Sequence, residues 1–194
     1  MNVLIAHGWQ NRRPEGHWQH WLAGRLHDDG HRVRYPQFPE PDEPVLVDWQ
    51  ELLRVELAAL GDDGDERVLV CHSLAVLLWW QVAPSLGALQ PDRVLLVAPP
   101  SADVLRGFPE VAAFAPPGIG TTPLPPDLVA RTRLVAADDD PYFPGGAASL
   151  YAHRFGLDVD VVAGGRHLDL PAGYGSWPSV RAWCTDPSVR ITAR

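Results

Sequence analysis

The feature that most constrains this chain is an alternation of short apolar runs with stretches of helical spacing. The apolar runs read as buried strands, and the repeated strand–helix order implies a parallel sheet with helices on both faces. Asn2-Val3-Leu4-Ile5-Ala6 is the first strand and ends in His7-Gly8. His17 to Asp29 follows, with Trp18, Trp21, Leu22 and Leu26 on one helical face and Gly30 behind it. His31 to Tyr35 reads as a second strand, and Pro36 to Pro44, with four prolines, as an extended loop. Val45 to Leu60 returns to helical spacing, and an acidic turn over Gly61 to Asp65 leads to a third strand, Arg67 to Cys71. Leu74 to Val82 is apolar almost all round, which predicts a buried helix. Arg93 to Ala98, Thr132 to Ala137 and Leu157 to Ala163 are the remaining strands, and Gly146 to Phe155 and Ser176 to Cys184 the remaining helices.

The expected fold is therefore α/β, a three-layer α/β/α sandwich around a mainly parallel sheet of about six strands. A chain of 194 residues suits one domain over 1–194, with a tail at 185–194. The proline-rich stretch 99–126 has no period and is expected to be a loop that shapes a pocket.

Composition removes several function classes. The net charge is −8, from 16 basic and 24 acidic residues, whereas a nucleic-acid partner needs a basic face. The longest unbroken apolar run, Leu74 to Trp80, is too short to span a bilayer, and the N-terminus does not read as a signal peptide. Cys71 and Cys184 are too few for a disulfide framework and are expected as free thiols in a reducing cytoplasm. No glycine-rich phosphate loop follows the first strand, which argues against a dinucleotide or flavin. No metal-ligand spacing is present, so neither metal nor other cofactor is expected. Oligomeric state leaves no sequence signal.

In a parallel sheet, ligand chemistry belongs at the carboxyl ends of the strands. His7, Gly8 and Trp9 follow the first strand; Cys71, His72 and Ser73 the third; Asp138, Asp139 and Asp140 the fifth; Gly164, Gly165, Arg166 and His167 the sixth. A serine, a carboxylate and an imidazole thus converge on one edge, in the order Ser…Asp…His. Ser73 stands in a strand-to-helix turn, between small residues at Cys71 and Ala75 where glycines are usual. On its own it also reads as a helix N-cap. A serine hydroxyl needs an adjacent base, for which His167 is the candidate, and the imidazole needs a carboxylate from the aspartate run. The Leu74 amide opens a helix and can face a developing oxyanion; a second amide should come from Trp9, with Gln10 next. Gln10 and His72 are candidate substrate-binding residues.

These residues resemble the α/β-hydrolase superfamily, in particular the small serine hydrolases related to bacterial YdeN and retinoblastoma-binding protein nine. The resemblance rests on His7-Gly8-Trp9, His17-Trp18, Trp21-Leu22, Tyr35-Pro36, Pro39 and Trp49. It continues through His72-Ser73-Leu74, Asp139-Asp140-Pro141-Tyr142-Phe143-Pro144, Gly164-Gly165-Arg166-His167, Gly175 and Trp177-Pro178. It implies a minimal hydrolase fold without a large cap, and it selects Asp140 as the acid beside Ser73 and His167. This chain departs from the family pattern at Cys71, Ala75, Arg166 and Leu168. The implied activity is cleavage of an ester or related acyl bond in a small molecule. The alternative is a weakly active or inactive module of the same fold that binds a protein partner.

Overall fold

The computed structural model describes residues 1–61, 64–115, 118 and 124–194. Six strands form one open, all-parallel sheet: β1 (Asn2–Ala6), β2 (Arg32–Arg34), β3 (Arg67–His72), β4 (Arg93–Val97), β5 (Thr132–Ala137) and β6 (Asp158–Val162). Their spatial order is β2-β1-β3-β4-β5-β6. Seven α-helices accompany them among the described residues, six between strands and one after the last: α1 (Trp18–Asp28), α2 (Leu46–Ala58), α3 (Leu74–Val82), α4 (Ala102–Leu105), α5 (Pro126–Ala130), α6 (Ala147–Phe155) and α7 (Pro178–Thr185).

The period-two alternation along each strand divides the core between two faces. Leu4, Leu69, Leu96 and Leu134 pack with Trp49, Leu53, Leu78 and Tyr151 on the α2, α3 and α6 side. Val3, Ile5, Val68, Val70 and Leu95 pack with Trp18, Leu22, Val180 and Trp183 on the α1 and α7 side. Because β3 is covered on both faces, its run is apolar without interruption, as parallel central strands are. Eight of the nine α3 residues are buried, matching its all-round apolarity.

The elements fall within a residue or two of their expected ends. His17 is not in α1 but is its N-cap, accepting a hydrogen bond from the Gln19 amide through Nδ1 at 3.2 Å. The stretch 99–126, expected as loop, contains α4 and a 3-10 turn over Ala112–Phe114; residues 116–117 and 119–123 of it lie outside the described residues. Residues 62 and 63 of the acidic turn lie outside them too. Proline density hid α4, because a one-turn helix has no period to detect. The short helix α5 was hidden in the same way, since it opens on Pro126 at the end of the proline run.

Residues 186–194, the tail, form no helix or strand but pack against the sheet. Ile191 is buried, and its amide donates to Asp160 Oδ2 at 2.9 Å. Arg133, on β5, bridges Asp158 and Asp160 of β6 at 2.8 Å each, and Arg190 closes on the same two carboxylates at 2.7 and 2.6 Å. An ion network between distant segments leaves no periodic trace in a sequence. Asp158 and Arg190 are exposed, but removing the buried Asp160 leaves the buried Arg133 guanidinium with Asp158 as its remaining counter-ion. Asp160→Ala is therefore expected to cost about 3 kcal/mol, read as a fall in the urea unfolding midpoint. A midpoint within experimental error of the parent would show that the network is worth nothing.

Sheet order sets the site. From β1 the chain crosses to β2 on one side, whereas β3 lies on the other, so the loops leaving β1 and β3 diverge. That reversal opens a crevice beyond the strand ends, where open α/β sheets bind ligands. Residues 7–9 and Ser73 stand on its two sides.

Candidate active site

Ser73 links β3 directly to α3 and holds φ +56° and ψ −122°, a conformation non-glycine residues rarely adopt. The turn is pinned from both directions. The Ser73 amide donates to the Val97 carbonyl of β4 at 2.9 Å, and the Ser73 carbonyl accepts from the Val76 amide at 2.9 Å. The Ser73 side chain is lifted off the sheet, half-buried, into a pocket of about 430 Å³. Gly8 lies against it: a Cβ there would come within 2.7 Å of the Ser73 Cβ, so the chain leaving β1 must carry glycine. Cys71 and Ala75, which replace the usual glycines, are both fully buried in the α3-side core. Burial pushes the Cys71 thiol far up, so it holds no thiolate to compete with Ser73.

His167 reaches the serine from the loop after β6. The Ser73 hydroxyl and His167 Nε2 are 2.8 Å apart, and His167 Nδ1 lies 2.9 Å from Asp140 Oδ2 and 3.1 Å from Oδ1. A carboxylate only accepts, so Nδ1–H donates to Asp140 and Nε2 is free to accept from the serine. Both His167 and Asp140 are buried. The other two aspartates have different work. Asp138 Oδ1 accepts from the Gly164 amide at 2.8 Å and Asp139 Oδ1 from the Arg166 amide at 2.7 Å. Both are exposed, and they clamp the loop that carries His167. That loop is tightly wound: Arg166 and Leu168 have φ of +52° and +50°, and a Cβ on Gly165 would meet Leu168 at 2.6 Å. Arg166 therefore serves through its backbone, and its side chain is exposed.

Neighbouring side chains hold the imidazole in place. The Tyr142 ring lies 4.5 Å from the His167 ring, and the Tyr142 amide donates to Asp140 Oδ1 at 2.8 Å. His72 Nε2 donates to the His167 carbonyl at 3.1 Å, which makes His72 a brace for the loop as well as pocket wall. His7 ties down the β1 turn. Its Nδ1 donates to the Gly8 carbonyl at 2.8 Å, and its Nε2 accepts from the Phe38 amide and Gln37 Nε2, both at 2.9 Å.

The supporting histidines are held neutral. Burial lowers His7 and His17 from 6.5 to about 4, and pushes His72 down as well. Each therefore takes up a proton more readily when unfolded. Their contribution is complete above pH 6.5 and is lost as pH falls toward 4. At pH 5, His7 and His17 should each have lost about 2 kcal/mol of stability, seen as an unfolding midpoint that drops between pH 7 and 5. A flat profile over that interval would contradict the assignment.

The three candidate backbone amides stand around the Ser73 turn. The Gln10 amide is committed to the Pro41 carbonyl at 2.8 Å, while Trp9, beside Gly8, and Leu74, at the start of α3, both line the pocket. Gln10 still lines the pocket through its side chain, and Trp9 is anchored by an indole hydrogen bond to the Asp42 carbonyl at 2.9 Å. Ser73, Asp140, His167, Trp9, Leu74, Gln10 and His72 thus meet at one place. Asp169 was not anticipated, and Tyr142 and His17 entered only through family resemblance. Among the described residues no cluster of three or more metal-ligating side chains occurs, and no helix is long and apolar enough to cross a membrane.

Comparison with known proteins agrees with this fold. The YdeN gene product of B. subtilis superposes with a TM-score of 0.74 at 24% identity, covering 95% of this chain and 96% of that one. A YdeN-like hydrolase from Pectobacterium atrosepticum gives 0.71 at 21% identity, covering 93% and 86%. Est1E from Butyrivibrio proteoclasticus, solved with ferulic acid bound, gives 0.65 at 13% identity, covering 95% and 88%. At these identities the likeness establishes the fold, that of the α/β hydrolases. A search of curated proteins finds no match. The model of the serine hydrolase family matches residues 3–185. With nearly its whole length covered by that match, the chain belongs to the serine hydrolase family.

Proposed function

We propose that this protein cleaves carboxylic esters or related acyl bonds through an acyl-enzyme, with Ser73 as nucleophile, His167 as base and then acid, and Asp140 as the group that orients and stabilises the imidazolium. The observation that carries the reading is the unbroken relay from the Ser73 hydroxyl through His167 to Asp140, at 2.8 and 2.9 Å. Ser73 Oγ bonds to the acyl carbon while its proton passes to His167 Nε2. The carbonyl oxygen becomes an oxyanion between the amides of Leu74 and Trp9. Collapse breaks the bond to the leaving oxygen, which takes the proton from His167. Water, deprotonated by the same imidazole, then releases the acid and restores Ser73.

The two unpaired, buried cysteines support a cytoplasmic location. A fluorophosphonate probe tests the chemistry. It should label Ser73 in the folded protein, and short p-nitrophenyl esters should be turned over. Absence of both would favour the protein-binding module on the same fold.

A further inference from the structure

We infer that the leaving half of the substrate carries a positive charge, selected by Asp169; this rests on the hydrolase reading above. The pocket around Ser73 has two unlike sides. On one, Trp9 packs on Phe108 with ring centres 5.3 Å apart, and Leu105 and Pro100 continue the apolar wall. On the other, the His17 ring stands 5.4 Å from that of His72, which stands 5.2 Å from that of His167; Asp169 and Leu170 complete this side.

Proton transfer decides which half lies where. His167 Nε2 must protonate the departing atom, so the leaving group has to pass beside the imidazole. The wall next to it is formed by Asp169, two residues on from His167, and by the histidine column. The acyl half then lies toward Trp9, Pro100 and Leu105. Asp169 keeps one carboxylate oxygen on the Ala172 amide at 2.9 Å, and no ion pair among the described residues includes it. His17 is buried, neutral and part of the same wall, and Asp169 is near enough to oppose the effect of burial on it. The guanidinium that lines the pocket, Arg12, is paired with Asp42. Arg13, held by the Tyr35 carbonyl and ring, Arg194, on the Tyr174 ring, and the exposed Arg166 keep their charges but do not line the pocket, so among the described residues Asp169 is the one lining charge without a counter-ion. The net charge offered to the leaving half is therefore negative, in a half-buried site where a charged contact is screened less than on the open surface.

A matched pair of butyrate esters isolates the charge. The 2-(trimethylammonio)ethyl and 3,3-dimethylbutyl esters have nearly the same shape and differ by one positive charge. Asp169→Asn keeps an oxygen for the Ala172 amide and removes the charge. The ratio of kcat/KM for the cationic to the neutral ester is expected to fall about ten-fold in this variant, which cancels any intrinsic difference in reactivity. In the parent protein the same ratio should fall as salt is raised, a readout that needs no variant. A ratio indifferent to both changes overturns the inference, as does a preference for esters with the ammonium in the acyl half. Turnover of neither ester also overturns it. In that case labelling of Ser73 by the fluorophosphonate leaves the hydrolase reading standing, and absence of labelling removes both.

Discussion

Ser73→Ala is expected to lower kcat for short p-nitrophenyl esters by about ten-thousand-fold, leaving only what the pocket and the oxyanion amides contribute. The reason is geometric. The relay delivers one proton acceptor to one hydroxyl, and the other pocket hydroxyl, on Tyr142, belongs to a ring packed at a tilt against His167 and is not at the strained turn. Cys71 cannot replace the serine, because it is sealed in the core and held as a thiol. The same position makes an opposite prediction about stability. Ser73 sits at φ +56° and ψ −122°, where a Cβ costs about 1–3 kcal/mol. Ser73→Gly should relieve that strain and, after the greater entropy of glycine in the unfolded chain, raise stability by about 1 kcal/mol while abolishing turnover. Unimpaired esterase activity in Ser73→Ala would end the proposed mechanism. Destabilisation by Ser73→Gly would mean that the turn stores no strain.

Asp140→Asn is expected to cost about a thousand- to ten-thousand-fold in kcat with the fold intact. An amide at this position can donate to His167 Nδ1, which moves the ring hydrogen to Nε2 and removes the acceptor that the serine needs. Asp138→Asn and Asp139→Asn should stay within about ten-fold of the parent. Their oxygens accept from the Gly164 and Arg166 amides, and an asparagine oxygen accepts equally well. Steady-state kinetics on the three variants discriminates between adjacent and chemically identical residues. Equal losses at all three positions would mean that the run acts as a general field and not through one oriented carboxylate.

That run also marks how far the sequence could be read. Asp138, Asp139 and Asp140 are indistinguishable by composition and spacing; family resemblance alone separated them. In the structure they differ in burial, two exposed and one buried, because β5 ends before them and the chain turns back over the sheet. The elbow gives the converse case. Cys71 and Ala75 weakened the glycine pattern around Ser73, yet the turn forms with the strained dihedrals such an elbow needs, since both side chains fit the α3-side core. Trp18 and Trp49 were legible as core from helical spacing alone. His17, Tyr142 and Asp169 carried no such signal, because each joins the pocket through contacts with segments remote in the chain.

Local patterning determined the elements, their order and the edge at which the chemistry gathers. Strand alternation and helical period are properties of neighbours along the chain, and right-handed crossovers turn them into a sheet with a known reactive side. Family resemblance selected Asp140 from the run, but tertiary structure alone decided how it reaches the imidazole, how the C-terminal residues are bound to β5 and β6, and which carboxylate in the pocket wall has no counter-ion. Those are distances between segments separated by tens of residues, set by how two cores close on one sheet, and no periodicity encodes them.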